Sequence, residues 1–451
     1  MDDTIVAIST ALGVGAISIV RMSGNNCIEI ANKVFKGTDL TKVDSHTIHY
    51  GKIVVDEEII DEVLVTIMKS PKTYTTENIV EINCHGGIST TKKIVEILLL
   101  NGARLAEKGE FTKRAFLNGR IDLTQSEAVM DLIESKTNKE RNLAINNLQG
   151  NLLKKIEKLR NEIKDLISHI EVNIDYPEYY DIEIMTEEKT KKIVEKQIKE
   201  LKELIKESED HEIIKTGIKT IIIGRPNVGK SSILNSLLEY EKAIVTDIEG
   251  TTRDIVEGNI SLEGIALNII DTAGIRKTED KVEKIGVNKS LSLIEEADLI
   301  LVVLNGNEKL TKEDKEIIEK TKEKTSIIVI NKNDLPKNIE TEKLSNRITI
   351  ETNTTTANGI NPLKEKIKEL FNLDKIESKK NTYLTNTRQI SLAKKSLKSL
   401  EEAKKSLEKE EVLDMVEIDL KEAFDNLGKI IGIDYSDEII DNLFQNFCVG
   451  K

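Results

Sequence analysis

Gly224-Arg-Pro-Asn-Val-Gly-Lys-Ser231 fits the phosphate-binding loop pattern G-x-x-x-x-G-K-[ST]. It stands where that pattern has a mechanical meaning. The β-branched run Ile221, Ile222, Ile223 precedes it and the helical Ser232-Ile-Leu-Asn-Ser-Leu-Leu238 follows. Glycines here let backbone N–H groups curl around a phosphate and aim a helix N-terminus at it. Lys230 supplies a point charge for the outer phosphates, and Ser231 a hydroxyl for Mg²⁺.

Two further runs extend the reading. Asp271-Thr-Ala-Gly274 follows an apolar stretch over residues 265–270 that reads as a strand. An acidic residue at a strand end can hold the Mg²⁺ shell, and the glycine lets a backbone N–H approach a γ-phosphate. Asn331-Lys-Asn-Asp334 follows Ser326-Ile-Ile-Val-Ile330, another buried-strand run. Its Asp carboxylate can accept from ring N–H groups that guanine has and adenine lacks, a strong basis for discrimination. Three such runs in order, each at the end of a predicted strand, define a guanine-nucleotide domain of α/β class.

That domain has a gap. The residue after the Asp-x-x-Gly motif is often a Gln that orients the attacking water; here it is Ile275, which cannot hydrogen-bond. A polar group from elsewhere must serve, and Arg276, Glu279, Asp280 and Glu283 are the nearby candidates. Thr251-Thr252, within the run from Val245 to Asp254, read as the first switch, with Thr252 placed for Mg²⁺ and the γ-phosphate. Within these runs the candidate nucleotide-binding residues are Asn227, Val228, Gly229, Lys230, Ser231 and Ser232, the switch residues Thr246, Asp247, Ile248, Glu249, Gly250, Thr251 and Thr252, then Asp271, Thr272, Ala273 and Gly274, and finally Asn331, Lys332 and Asp334.

At 451 residues the chain exceeds one ordinary core. A formal charge of −13 argues against a wide nonspecific nucleic-acid surface, and the absence of Trp argues against single-strand stacking platforms. Three well-separated cysteines, Cys27, Cys84 and Cys448, fit a reducing compartment and form no zinc spacing. The acidic start and the lack of a long apolar span predict a soluble, cytoplasmic protein without a membrane segment.

Residues 1 to about 118 read as mixed strand and helix, with strands over 5–9, 16–21, 47–54, 63–68 and 79–82 and a helix over 88–100 ending at Asn101-Gly102. Thr124-Gln-Ser-Glu127 reads as a capping box opening a helical stretch to residue 172. Asp175-Tyr-Pro-Glu178 interrupts it, and Lys/Glu-rich amphipathic helix follows from Glu187 to about residue 210. Helix resumes over 387–409 and 412–430, beyond the nucleotide domain. Helix on both sides suggests a nucleotide domain inserted into a helical one. The expected fold is multidomain α/β and α+β. An N-terminal α+β domain (1–118) precedes a helical domain whose two segments (119–214 and 374–451) flank the inserted P-loop GTPase domain (215–373).

Other runs carry a resemblance. Asp3-Thr-Ile-Val-Ala7, Pro71-Lys-Thr-Tyr-Thr-Thr-Glu77, Val80-Glu-Ile-Asn-Cys-His-Gly-Gly87, the run from Gly109 to Arg120 (Gly-Glu-Phe-Thr-Lys-Arg-Ala-Phe-Leu-Asn-Gly-Arg) and the final Phe447-Cys-Val-Gly-Lys451 resemble the MnmE (TrmE) family of tRNA uridine modification GTPases, over essentially the whole chain. The resemblance implies a homodimer formed through a folate-binding N-terminal domain. It implies an FAD-dependent partner, MnmG, and attachment of an aminomethyl-type group to C5 of the tRNA wobble uridine. The one-carbon unit would come from a reduced folate, 5-formyltetrahydrofolate or 5,10-methylenetetrahydrofolate. The family's folate positions fall on Arg21, Glu81, Arg120 and Lys451, and a thiol role on Cys448.

In the GTPase domain the resemblance puts Mg²⁺ on Ser231 and Thr252, and K⁺ on Asn227, Thr246, Ile248 and Thr251. It assigns the water-orienting carboxylate to Glu283, filling the gap at Ile275. Two runs depart from the family pattern: Thr10-Ala-Leu-Gly-Val-Gly15 lacks the usual prolines and arginine, and Asn353-Thr354 replaces a Ser-Ala element beside guanine. Competing readings are a ribosome-assembly or RNA-binding GTPase switch, which would carry a basic RNA module, and a folate enzyme regulated by GTP.

Overall fold

A computed structural model of the chain describes residues 3–175, 187–240, 256–262, 265–271, 293–344, 346–356, 358–371, 382–409 and 412–451. The chain divides into two compact units, one of Met1–Met130, Asn147–Ile198 and Leu392–Lys451, the other of Asp131–Asn146 and Lys199–Ser391. This grouping puts residues 131–146, 199–214 and 374–391 with the nucleotide motifs, so the expected domain boundaries stand as a proposal.

The first unit begins with seven strands: β1 (Ile5–Ile8), β2 (Ile17–Ser23), β3 (Phe35–Lys36), β4 (Thr47–Val55), β5 (Glu58–Met68), β6 (Ile79–His85) and β7 (Arg104–Leu105). They form one sheet in the order β3-β4-β5-β6-β2-β1-β7. Only the β1–β7 pair is parallel. The alternation of β5 sends Val63, Val65 and Ile67 into the core with Val20, Met22, Val80 and Ile82, under the helices Cys27–Val34 and Ile88–Leu100. Each fully buried side chain of this size contributes roughly 1.5–3 kcal/mol. The opposite face leaves Ile48, Tyr50 and Leu64 exposed. The predicted strands and the helix Ile88–Leu100 are present. The two-residue strands and the helices Cys27–Val34 and Glu110–Leu117 were not anticipated.

The helical portion of this unit rests on a long amphipathic pair. In the helix Asn151–Asp175, Leu152, Ile156, Leu159, Ile163, Leu166 and Ile170 recur every three or four residues and are buried. They share a face with the helix Leu413–Ile431, which buries Val416, Leu420, Ala423, Leu427 and Ile430. Arg160 lies over the Phe424 ring at 3.8 Å, beside Gly428, where an added Cβ would lie 3.1 Å from the guanidinium.

One local expectation is corrected. The box that starts the helix Leu123–Glu134 is Asp122/Gln125, not Thr124/Glu127. Asp122 Oδ1 accepts from the N–H of Thr124 (2.7 Å) and of Gln125 (3.3 Å), while Gln125 Oε1 accepts from Asp122 N–H (3.1 Å). Asp is as good an N-cap as Thr and sits two residues earlier, so the helix begins sooner.

The second unit carries β8 (Ile218–Ile223), β9 (Val256–Leu262), β10 (Ile265–Asp271), β11 (Leu299–Asn305), β12 (Ser326–Asn331) and β13 (Thr349–Glu351). Their order is β13-β12-β11-β8-β10-β9, parallel except for β9 against β10. All seven residues of β11 are buried: Leu299, Leu301 and Val303 enter one core, Ile300, Val302 and Leu304 the other. A sheet covered on both faces explains why these strands read as unbroken apolar runs. Among the described residues no helix is long and apolar enough to cross a membrane.

Candidate functional site

Parallel pairing brings the carboxyl ends of β8, β10, β11 and β12 to one edge, with Asp271 opposite Ile222 and Asn305 opposite Asn331. That edge is where an open α/β sheet binds ligands. The phosphate loop leaves β8 there and enters the helix Lys230–Tyr240. Lys230 Nζ donates to the carbonyls of Gly224 (2.8 Å) and Arg225 (2.7 Å), so the charge is held over the mouth of the loop. Val228 is buried, while Asn227, Ser231 and Ser232 are at least partly exposed. The Ser231 hydroxyl, in the first helical turn, is a hard oxygen donor of the kind Mg²⁺ takes.

Asn331 ties the guanine-side run to the phosphate loop. Its side chain is buried and donates through Nδ2 to Val228 O at 3.1 Å, while Thr352 Oγ1 donates to its Oδ1 at 3.4 Å. The two loops meet so closely that a Cβ on Gly229 would lie 2.1 Å from Asn331 Nδ2, and Gly229 has φ +99°. Lys332 also takes a positive φ, turning the chain so that Asp334 stands exposed. Asn353 spends its side chain on its own loop, accepting from Thr355 N–H (2.9 Å) and Oγ1 (2.7 Å).

The structure thus gathers Asn227, Val228, Gly229, Lys230, Ser231, Ser232, Asn331, Lys332 and Asp334 at one end of the sheet, with Asp271 closing β10. Thr246, Asp247, Ile248, Glu249, Gly250, Thr251, Thr252, Thr272, Ala273, Gly274, Ile275, Arg276, Glu279, Asp280 and Glu283 lie outside the described residues.

A second cluster lies in the first unit. Register places Arg21 on β2 directly across from Glu81 on β6, and Arg21 Nε donates to Glu81 Oε1 at 2.8 Å. Arg21 also reaches Gly450 O (3.3 Å), as does Ser9 Oγ (3.2 Å), and it lies 5.8 Å from the Phe111 ring centroid. The final residues therefore belong to this site. Gly109 N donates to Cys448 O at 3.2 Å, and Gly109, at φ +66°, has no room for a Cβ against Phe447. Lys451 follows, half-buried. The Arg120 guanidinium lies 4.8 Å over the Tyr74 ring, beside an open pocket lined by Lys72, Thr73, Thr76 and Asn118. Cys448 is exposed; Cys27 and Cys84 are buried, and burial pushes both their thiols up.

Beneath this cluster is a charge network that pattern reading missed. Glu110 and Arg114, one turn apart on the helix Glu110–Leu117, are both buried and paired (2.9 Å). Arg104 forks onto both Glu110 oxygens (2.9 and 2.6 Å), and Arg114 also meets Asp3 and Glu77. Burial pushes the Glu110 carboxyl upward, but hydrogen bonds from Arg104, the Glu107 N–H and Arg114 hold it below its ordinary value. A depressed native value means stability that is present above the unfolded pKa of about 4.3 and lost as pH falls through the native one. Glu110→Gln should therefore lose on the order of 3 kcal/mol at pH 7 and show a smaller further loss between pH 7 and pH 3.5 than the wild type. Parallel acid profiles of thermal unfolding for the two proteins would contradict this.

Comparison with known proteins agrees over the full length. The family description "GTP-binding protein TrmE N-terminus" matches residues 4–120, and "MnmE helical domain" matches residues 123–448. The tRNA modification GTPase MnmE of Bacillus cytotoxicus is 50% identical, covering 100% of this chain and 99% of the relative. That of Bacillus subtilis strain 168 is 49% identical, with 100% of both covered. Among solved structures, the G domain of the T. maritima FeoB iron transporter is 28% identical over 34% of this chain and 97% of its own, with a TM-score of 0.26.

Proposed function

The chain belongs to the MnmE family of tRNA modification GTPases, and from that premise we propose that it couples GTP hydrolysis to modification of C5 of the wobble uridine in certain tRNAs. It acts with an FAD-dependent partner of the MnmG type and takes its one-carbon unit from a reduced folate, in the cytoplasm. The observation that carries the nucleotide half is the junction of Lys230, Gly229, Val228 and Asn331 at the sheet edge.

In the hydrolysis, water adds to the γ-phosphorus, the bond to the bridging oxygen breaks, and GDP and inorganic phosphate leave. Lys230 meets the outer phosphates and the loop N–H groups the inner ones, while Asp334 accepts from the guanine ring. Glu283 orients the water, a task Ile275 cannot perform. Ser231 and Thr252 would hold Mg²⁺, and Asn227, Thr246, Ile248 and Thr251 would hold K⁺. Such cations would supply positive charge against the negative charge that develops on the phosphates, as an arginine finger does elsewhere. Asn227 suits this role: it has φ +64° and stands exposed at the loop's crest. GTP turnover is expected to fall at least tenfold when Na⁺ replaces K⁺, and Asn227→Ala to abolish the difference. Equal wild-type rates in the two salts would remove K⁺ from the mechanism.

Arg21, Glu81, Arg120 and Lys451 take the folate: cationic groups meet tail carboxylates and Glu81 the pterin edge. The Arg21–Glu81 pair beside Phe111, and Arg120 stacked at an open pocket, support a flat, charged ligand. Arg120→Ala, or removal of Lys451, should weaken folate binding by about 1.5–3 kcal/mol. Calorimetry showing unchanged affinity in both variants would count against the assignment. The exposed Ile48, Tyr50 and Leu64 on the outer sheet face support the homodimer as an apolar surface to be covered.

A further inference from the structure

Arg225, the second residue of the phosphate loop, is bound at both ends of its guanidinium. Nε donates to Asp314 Oδ1 at 2.8 Å and Nη2 to Glu308 Oε2 at 2.9 Å. Neither carboxylate is loose. Asp314 is almost wholly buried, and its other oxygen accepts from Thr311 N–H (2.9 Å) and Oγ1 (2.8 Å), closing the capping box of the helix Lys312–Lys320. Glu308 Oε1 accepts from Asn305 Nδ2 (2.6 Å), at the last residue of β11. The arginine thus fastens the first half of the loop to a strand end and a helix start. Burial of Val228 and the Asn331 bond fasten the second half.

The backbone carbonyl of Arg225 is also one of the two that receive Lys230. An ammonium is a flexible point charge with three rotatable donors, so its position is set by what its protons are given. We infer that Arg225 is a positioning residue for the nucleotide site: without touching phosphate, it fixes the carbonyl that locates the Lys230 charge. Asp314 and Glu308 are its anchors. A planar fork can span two carboxylates, whereas a lysine at this position reaches one of them. Lys230 meets the outer phosphates in the ground state as well as in the transition state. Misplacing it therefore weakens binding without altering chemistry at saturation.

The test uses the full chain, with a fluorescent N-methylanthraniloyl GDP for affinity and GTP turnover for KM and kcat. Arg225→Ala should raise Kd and KM about tenfold, Arg225→Lys about threefold and Glu308→Gln about twofold, with kcat within about twofold of wild type. Glu308→Gln should add nothing on top of Arg225→Ala, because its partner is already gone. Wild-type Kd in Arg225→Ala overturns the inference, as do multiplicative losses in the double variant. A fall in kcat at unchanged Kd also overturns it, by placing Arg225 in the chemistry. Should Arg225→Ala fail to fold, unchanged Kd in both Arg225→Lys and Glu308→Gln overturns it equally. The inference rests on the loop being the nucleotide site; failure of the wild-type chain to bind the fluorescent GDP would sink that reading instead.

Discussion

Gly229→Ala is expected to lose nucleotide binding by about 10²-fold, close to 2.7 kcal/mol. Two costs combine. Gly229 has φ +99°, where an L-residue is strained by about 1–2 kcal/mol, and its new methyl would sit 2.1 Å from Asn331 Nδ2. The clash falls on the Asn331 side chain, which is buried and hydrogen-bonded, so relief must come from moving it. Moving Asn331 breaks its bond to Val228 O, worth a further ~1 kcal/mol, and frees the loop that the bond holds. The glycine thus lets two loops touch as well as letting backbone approach phosphate. Asn331→Ala should lose less, since it removes the bond without inserting bulk. Fluorescent GDP titration checks both; near-wild-type affinity in Gly229→Ala would show that the loops do not meet this closely when nucleotide is bound.

Glu283→Ala should leave affinity for a nonhydrolysable GTP analogue near normal and lower turnover by ~10²-fold or more, the scale of a positioned acid–base group. Glu283 itself lies outside the described residues, and the role proposed for it comes from the family resemblance. Ile275 stands where a water-orienting side chain is usual and offers no hydrogen bond. In the proposed site, binding draws instead on Lys230, the loop backbone and Asp334, none of which Glu283 needs to meet. A variant impaired only in the transition state loses kcat and kcat/KM together. Normal turnover would move the role to Glu279 or Asp280, and lost binding would make Glu283 structural.

The nucleotide domain was legible because both faces of its sheet are covered. Such strands are continuous apolar runs that stand out in any sequence, and the motifs sit at their ends. The long helices were legible for a related reason: their buried residues keep a strict three-four spacing. The helix Glu110–Leu117 was missed because Glu110 and Arg114 are themselves buried, which breaks the rule that charge marks the exposed face. Arg21 and Glu81 carry no local signal at all. They are partners across a strand pair separated by sixty residues, and only register joins them. Arg225 was hidden differently: it occupies a position the loop pattern leaves open, and its anchors come from a distant cap whose Asp314 serves two partners at once.

Whether GTP turnover here serves tRNA wobble-uridine chemistry is decided by mass spectrometry of tRNA nucleosides. The strain compared would lack this gene and be complemented with wild type or with Glu283→Ala. The C5-modified wobble uridine is expected to disappear on deletion, return with the wild-type chain and stay absent or greatly reduced with Glu283→Ala. An unchanged nucleoside profile in the deletion strain would contradict the proposed function outright.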